Sequence, residues 1–443
     1  MEHLFSWAAT EAEVVFGVGH IVDCSLCWNR AAGFIAALKS SKELMIPRRG
    51  KGRPPEERYR DAREALVTLL EIEEARSIGQ LCAKAWWAEL RELSPREQAQ
   101  KIDSVVAIQK REVFEAIIQE AKIMSSRDPF AAEHLAASAN RLVDRLPKAE
   151  FSDSVKNGLK LSATTVVANS RRLAGDWEGA FAAISEARRY LPGGIVSPEE
   201  RAFLVAMHAC LVCDTGQLEE AVLLLAQAED LYKEAGDFKG LASVRIYIAS
   251  ALLEAARAKE SLGMAEEALS YLTPDCVRLE MLARSIITES LVFQGRPEEA
   301  LRSYASTKHL YAEVGGEITQ SKTEYLEARI LDALGYARES EKLFRSAISG
   351  LTESENYRPA LLARLALFES LFKRGALGKA ARLCEEAIDL LQKTDTIHIQ
   401  MRQVWKDLLA AVQAQALTAP KIQEVRNYIV RHWTSPASNT PFS

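Results

Sequence analysis

The chain has 443 residues, 48% of them apolar and 26% charged, with a formal net charge of −5. That length suits two or three folded units. The near-balanced charge gives no footprint for nucleic acid, and no apolar run approaches the ~18 residues of a membrane span. Seven cysteines, an odd number spread over the chain, do not read as a disulfide framework, so the expected setting is the reducing cytoplasm. The opening MEHLFSWAATEAE has no basic segment followed by an apolar one and does not read as a signal peptide. Ala, Leu, Glu and Arg dominate while Gly and Pro are sparse, which favours helix throughout.

Residues 1–40 read as a small helical module. It holds GHIVDCSLCW, in which His20, Cys24 and Cys27 fall at H-x3-C-x2-C spacing. Zinc takes four such ligands in a tetrahedron. Cys-x2-Cys can offer two thiolates around a turn, and a histidine four residues earlier lies one helical turn away on the same face. The fourth ligand must come from elsewhere, and His3 is the near candidate upstream. The same residues also fit a pair of small packing cysteines with a surface histidine, or a redox pair. Residues 41–58 form a basic Gly/Pro linker, in which RRGKGR reads as a solvated segment and GKG lacks the G-x4-GK[ST] of a phosphate loop. Residues 59–127 read as a helical connecting region. Trp86 and Trp87 are expected to pack there, and Ser94-Pro95-Arg96-Glu97 is a capping box that starts a helix.

From 128 to 395 the chain repeats. Asp128-Pro129 opens the first helix as cap and first-turn proline. Six segments then share one pattern, beginning at Gly175, Gly216, Gly263, Gly295, Gly335 and Gly375, separated by 41, 47, 32, 40 and 40 residues. The glycine is expected to end one helix by taking positive φ. Five residues on stands a small residue (Ala180, Ala221, Ala268, Ala300, Ser340, Ala380), and four further a larger one in most copies, such as Leu225, Tyr304 and Phe344. Alanine returns three later in most copies, so the set shares one helical face. The third copy is the weakest, its second helix stopped at Thr273-Pro274. Residues 396–433 read as C-terminal capping helices, and 434–443 as a tail with too little to bury.

The repeat pattern resembles the tetratricopeptide repeat (TPR), with a period longer than the usual ~34 residues. The resemblance implies an all-α fold of about six to seven long helical hairpins stacked in a superhelix, whose concave groove is lined by each repeat's first helix. Carried onto these registers, the groove positions are Asn169, Arg172, Cys210, Arg257, Glu260, Glu289, Lys322, Tyr325, Arg329, Asp332, Glu369 and Lys373. Both charge signs alternate along them, so they can also pair with one another between repeats.

The N-terminal motif resembles the zinc-binding anti-sigma-factor domain. His20, Cys24 and Cys27 match its triad, and His3 would stand for the upstream ligand, at a shorter gap than the family keeps. That resemblance implies a bound zinc and a sigma factor as partner. With ELRELSPREQ, EAKIMSSRDPFAAEHLA and the long repeats, the whole arrangement is similar to a group of bacterial TPR proteins. No G-x-S-x-G, HExxH or glycine-rich strand-to-helix turn is present, so no enzyme is expected. Two functions fit. One is a cytosolic protein–protein interaction scaffold with a regulatory role, either a signalling adaptor or anti-sigma-like. The other is a sensor of a peptide or small ligand held in the groove, with a purely structural N-terminus.

Overall fold

In the computed structural model, residues 81–83, 85–125, 128–354, 356–393 and 399–432 are described. Among them there is no strand. The zinc-motif residues His3, His20, Cys24 and Cys27 lie outside the described residues, as do the basic linker and the tail.

The described helices are α1 (Pro95–Ser104), α2 (Arg111–Met124), α3 (Pro129–Arg145), α4 (Asp153–Leu173), α5 (Trp177–Arg189) and α6 (Pro198–Asp214). They continue with α7 (Leu218–Ala235), α8 (Phe238–Glu254), α9 (Ala258–Leu269), α10 (Val277–Phe293), α11 (Pro297–Val314) and α12 (Glu317–Ala333). The last are α13 (Ala337–Glu353), α14 (Tyr357–Lys373), α15 (Leu377–Lys393), α16 (Ile399–Gln413) and α17 (Ala419–His432). The chain divides into two compact units between Met207 and His208.

The first unit shows how local chemistry sets the helix ends. The Glu97 carboxylate accepts the Ser94 backbone N–H at 2.9 Å, and Asp128 accepts from Ala131 N–H at 2.9 Å. Each bond satisfies a donor that a helix N-terminus leaves open. A further box stands at Ser197 and Glu200, bonded reciprocally at 3.3 Å. Asp103 of α1 is held by Arg141 and Arg145 of α3, one of them a bidentate contact. Trp86 and Trp87 are half-buried.

The hairpin turns fall at five of the expected glycines. Gly175, Gly216, Gly295, Gly335 and Gly375 all have φ between +70° and +87°, the left-handed region where a side chain would meet the following carbonyl. At Gly216 the N–H bonds to the Cys213 carbonyl and the next N–H to Val212, which closes α6. The three face positions that follow are buried in every one of these copies, for example Ala300, Tyr304 and Thr307, or Ser340, Phe344 and Ala347. Small residues at the first and last positions let two helix backbones approach, and the large middle one fills the space beyond.

Gly263 departs from the expectation. It lies inside α9 with no unusual φ. The turn of that repeat is Ala256, at φ +60°, and the Arg257 N–H bonds to Leu252 as the equivalent residue does after each glycine. The face residues are then Ser261, Ala265 and Ala268, all fully buried. With Ala256 in place the five turn-to-turn intervals become 41, 40, 39, 40 and 40. The slip was seven residues, about two helical turns, so it left small residues on the same face and was invisible to periodicity. α9 ends at Leu269, before Thr273-Pro274.

Forty residues past Gly375, Gln415 takes the same left-handed turn at φ +51°. α16 therefore stands as the first helix of a further hairpin. α17 does not continue the pattern: Pro420, Glu424 and Asn427 occupy the face positions and are exposed. Ile422, Val425, Tyr428 and Ile429 are buried instead, in a cluster with Trp405 of α16 and residues of α14 and α15.

Candidate binding face of the second unit

In the second unit the first helices of the hairpins are α8, α10, α12, α14 and α16, preceded by the end of α6. Charged residues from α6, α8, α10, α12 and α14 meet at one place. Arg358, in the first turn of α14, bonds to Glu254 at the end of α8 at 2.8 Å. Two whole hairpins, α10–α11 and α12–α13, lie between these helices in the chain. Asp214, at the end of α6, lies close enough to act electrostatically on both Arg358 and Lys322 of α12. Arg278, in the first turn of α10, acts on the same lysine.

Lys322 makes no hydrogen bond or ion pair among the described residues. Its side chain is exposed to solvent, with protein atoms packed around the ammonium. Burial lowers its pKa, Arg278 lowers it further, and Asp214 opposes both. Burial, aided by Glu254 and Asp214, drives the neighbouring Cys213 thiol far above its ordinary range, so no reactive thiolate forms there.

A second group lies on α10, α12, α14 and α17. The Arg329 guanidinium sits 4.2 Å from the Phe293 ring centre and bonds to Glu289 at 2.5 Å. Arg426 of α17 approaches the same ring at 5.9 Å and bonds to Glu369 at 2.9 Å. Tyr325 stands beside Arg329 and meets Phe344 edge-on at 6.0 Å. Each arginine here has its own carboxylate and an aromatic face, a desolvated and satisfied arrangement.

Of the twelve expected groove positions, Glu289, Tyr325, Arg329 and Glu369 come together in this second group, and Lys322 in the first. Asp332 accepts a hydrogen bond from Ser370 on the next first helix. Lys373 is exposed at the end of α14, and Cys210 is buried in α6. Asn169 and Arg172 belong to the first unit and bond to each other. Arg257 and Glu260 do not join either group. They form an exposed pair with each other across the first turn of α9 at 2.6 Å, as Arg296 and Glu299 do at the start of α11. The misplaced turn at Gly263 had put them on a first helix.

Asp214, Glu254, Arg278, Phe293, Arg358 and Arg426 were not among the expected positions. A correct register would have offered a signal for most of them. Asp214, Glu254 and Phe293 each stand two residues before their turn residue, and Arg278 and Arg358 each stand 17 before theirs. Among the described residues no group of three or more His, Cys, Asp or Glu is placed to hold a metal ion. No described helix is long and apolar enough to cross a membrane.

No protein-family model matches the chain, and no curated protein matches its sequence. Solved structures do match by shape. A Rap protein complexed with Competence and Sporulation Factor superposes with a TM-score of 0.57 at 16% identity, covering 71% of this chain and 85% of that one. The apo quorum sensor NprR from B. thuringiensis gives 0.49 at 14% identity, over 70% and 84%. NprR in complex with its cognate peptide NprX gives 0.48 at 15%, over 68% and 83%. At such identities the likeness to the Rap protein speaks for fold. Together with the positive-φ turns at a period of 40 and the buried small–large–small face, it makes this a TPR-type helical-hairpin repeat fold.

Proposed function

We propose that the chain is a regulatory interaction scaffold that holds a protein or peptide segment against the first-helix face of its second unit. The observation that carries this is the meeting of Asp214, Glu254, Arg278, Lys322 and Arg358 from five helices of successive repeats, with Lys322 left unpaired at the solvent side. The Rap protein of the same fold, solved in complex with Competence and Sporulation Factor, supports the reading. On this reading the chain performs no catalysis and acts in the cytoplasm. The test is affinity capture with the intact chain and with an Arg278→Glu, Lys322→Glu variant, read by mass spectrometry. A segment retained by the first and lost by the second supports the proposal. Equal eluates from both, or nothing retained by either, overturn it.

The N-terminal motif favours a sigma factor as the protein partner. Cys24, Cys27, His20 and His3 form a donor set of the kind zinc takes, two thiolates and two imidazoles. Elemental analysis should then give about one zinc per chain, abolished by Cys24→Ser with Cys27→Ser. His3→Ala should weaken retention if His3 is the fourth ligand. A metal-free wild-type chain, and no sigma factor in the capture, would leave the motif as packing residues.

A further inference from the structure

The first-helix face of the second unit is not open along its whole length. The first helices α8, α10, α12 and α14 each pack on the next. Between α14 and α16 that packing is all but lost, and α17 packs on both instead. A helix that only closed the stack would cover the outer side of the last hairpin. α17 reaches one hairpin back.

The side chains show which face it reaches. Glu289, Arg329 and Glu369 each stand six residues before their turn glycine, on successive first helices. Arg329 reaches back along this row from α12 to Glu289 of α10. Six before Gln415 stands Leu409, which cannot pair with Glu369. Arg426 of α17 does so at 2.9 Å, the two side chains being 14% and 23% exposed. The same guanidinium lies 5.9 Å from the ring centre of Phe293 on α10. α17 thus supplies the cation that the row lacks. Its Ile422, Val425 and Ile429, at i, i+3 and i+7, are buried as one apolar stripe. An amphipathic helix laid in a groove is a common way for a protein to bind a partner.

We infer that α17 is an autoinhibitory helix: it holds the end of the first-helix face at α14 and α16, through Arg426 on Glu369 and Phe293, and excludes a bound segment from that end. What replaces it is an amphipathic helix with an arginine beside its apolar stripe. This deepens the proposed segment-binding face and rests on it. Apolar burial gives such a helix affinity without direction. The charge-assisted bond to Glu369 and the ring of Phe293 fix its register. Because α17 is tethered, its effective concentration at the face is far above that of a free competitor.

The test uses the full chain and a fluorescein-labelled peptide of residues 417–432 as probe, read by anisotropy. In a chain carrying Arg426→Glu with Ile429→Asp, α17 should leave the face. That chain should bind the peptide saturably, and the wild type at least tenfold more weakly. The peptide with Arg426→Glu should bind the same chain about tenfold more weakly, and Glu369→Arg in the chain should restore it. Equal binding by both chains, no binding by either, or no restoration by Glu369→Arg overturns the inference. Circular dichroism checks that the repeats keep their helix. If they do not, hydrogen exchange over residues 419–432 gives the same reading. It should quicken in Glu369→Arg and recover when Arg426→Glu is added; an unchanged rate in Glu369→Arg overturns the inference. Affinity capture separates the two proposals. The released chain should retain more of the native segment than the wild type. If it retains the same amount or less, the binding face stands and the autoinhibition falls. If neither chain retains anything, the binding face itself falls.

Discussion

Ala256 and Gly263 are seven residues apart, and each has the residue type that the other's position favours. Ala256 holds φ +60° at a hairpin turn, exposed to solvent. A left-handed conformation costs a non-glycine residue roughly 1–2 kcal/mol. Ala256→Gly removes that cost and adds back about 0.4–1 kcal/mol of unfolded-chain entropy, for a net gain of about 0.5–1 kcal/mol. Gly263 lies inside α9, and a Cβ built there meets nothing within 4 Å. Gly263→Ala should therefore stabilise by about 0.5–1 kcal/mol. The sites share no partner, so the double variant should gain about 1–2 kcal/mol. Urea unfolding followed by far-ultraviolet circular dichroism reads the gain as a higher midpoint at unchanged slope. A turn at Gly263 would reverse the sign, because alanine would then carry the left-handed penalty. A lower midpoint for Gly263→Ala would refute the turn at Ala256, and with it the place of Glu254 at the end of a first helix.

Ala300 is fully buried beside Tyr304, Tyr311 and Leu326, so Ala300→Leu should overpack that helix contact and cost ~1–3 kcal/mol in thermal unfolding; a neutral result would place it away from a close approach. Asp103 is held down to about 2 by the Arg141 bond, against burial and with help from Arg145. The folded pKa lies below the unfolded 3.8, so the contribution is present above 3.8 and lost as pH falls from there to about 2. Asp103→Asn should flatten the pH dependence of stability in that window, and an unchanged acid limb would count against the bridge. Lys322 also has a folded pKa below its unfolded 10.5, but for a lysine that shift disfavours the charged form. The folded chain holds fewer protons just below 10.5, and stability should rise as pH climbs towards that value. Lys322→Met should raise the unfolding midpoint near neutral pH and remove the rise; a lower midpoint would mean that the charge is satisfied.

The hairpin repeat was legible because its determinants are local. A glycine at positive φ and three face residues within the next twelve positions carry the information, and five turns fell where glycine stood. Ala256 failed the same reading because it does a glycine's work without being one. A shift of seven leaves helical periodicity almost unchanged, so Gly263 served as a decoy. The two side-chain clusters were legible only in part. Glu289, Lys322, Tyr325, Arg329 and Glu369 followed from which helix face each repeat presents. Arg358 and Arg426 depended on partners 104 and 57 residues away. No local pattern fixes such distances, because they follow from the curvature accumulated over several hairpins. Arg257 and Glu260 show the converse: two charges three residues apart found each other across one helical turn, and nothing longer-range was needed.

The bond between Arg358 and Glu254 also limits how this region could change over generations. Where each repeat touches only its neighbours, a hairpin can be duplicated or lost at modest cost. Here a deletion between α8 and α14 would carry the guanidinium past its carboxylate by one repeat's rise and rotation, stranding both charges among helices. The number of hairpins in this stretch is thus a counted quantity, held by two side chains that share no repeat. The four hairpins from α8 to α15 should open as one block on hydrogen exchange, with no end-to-end fraying among them.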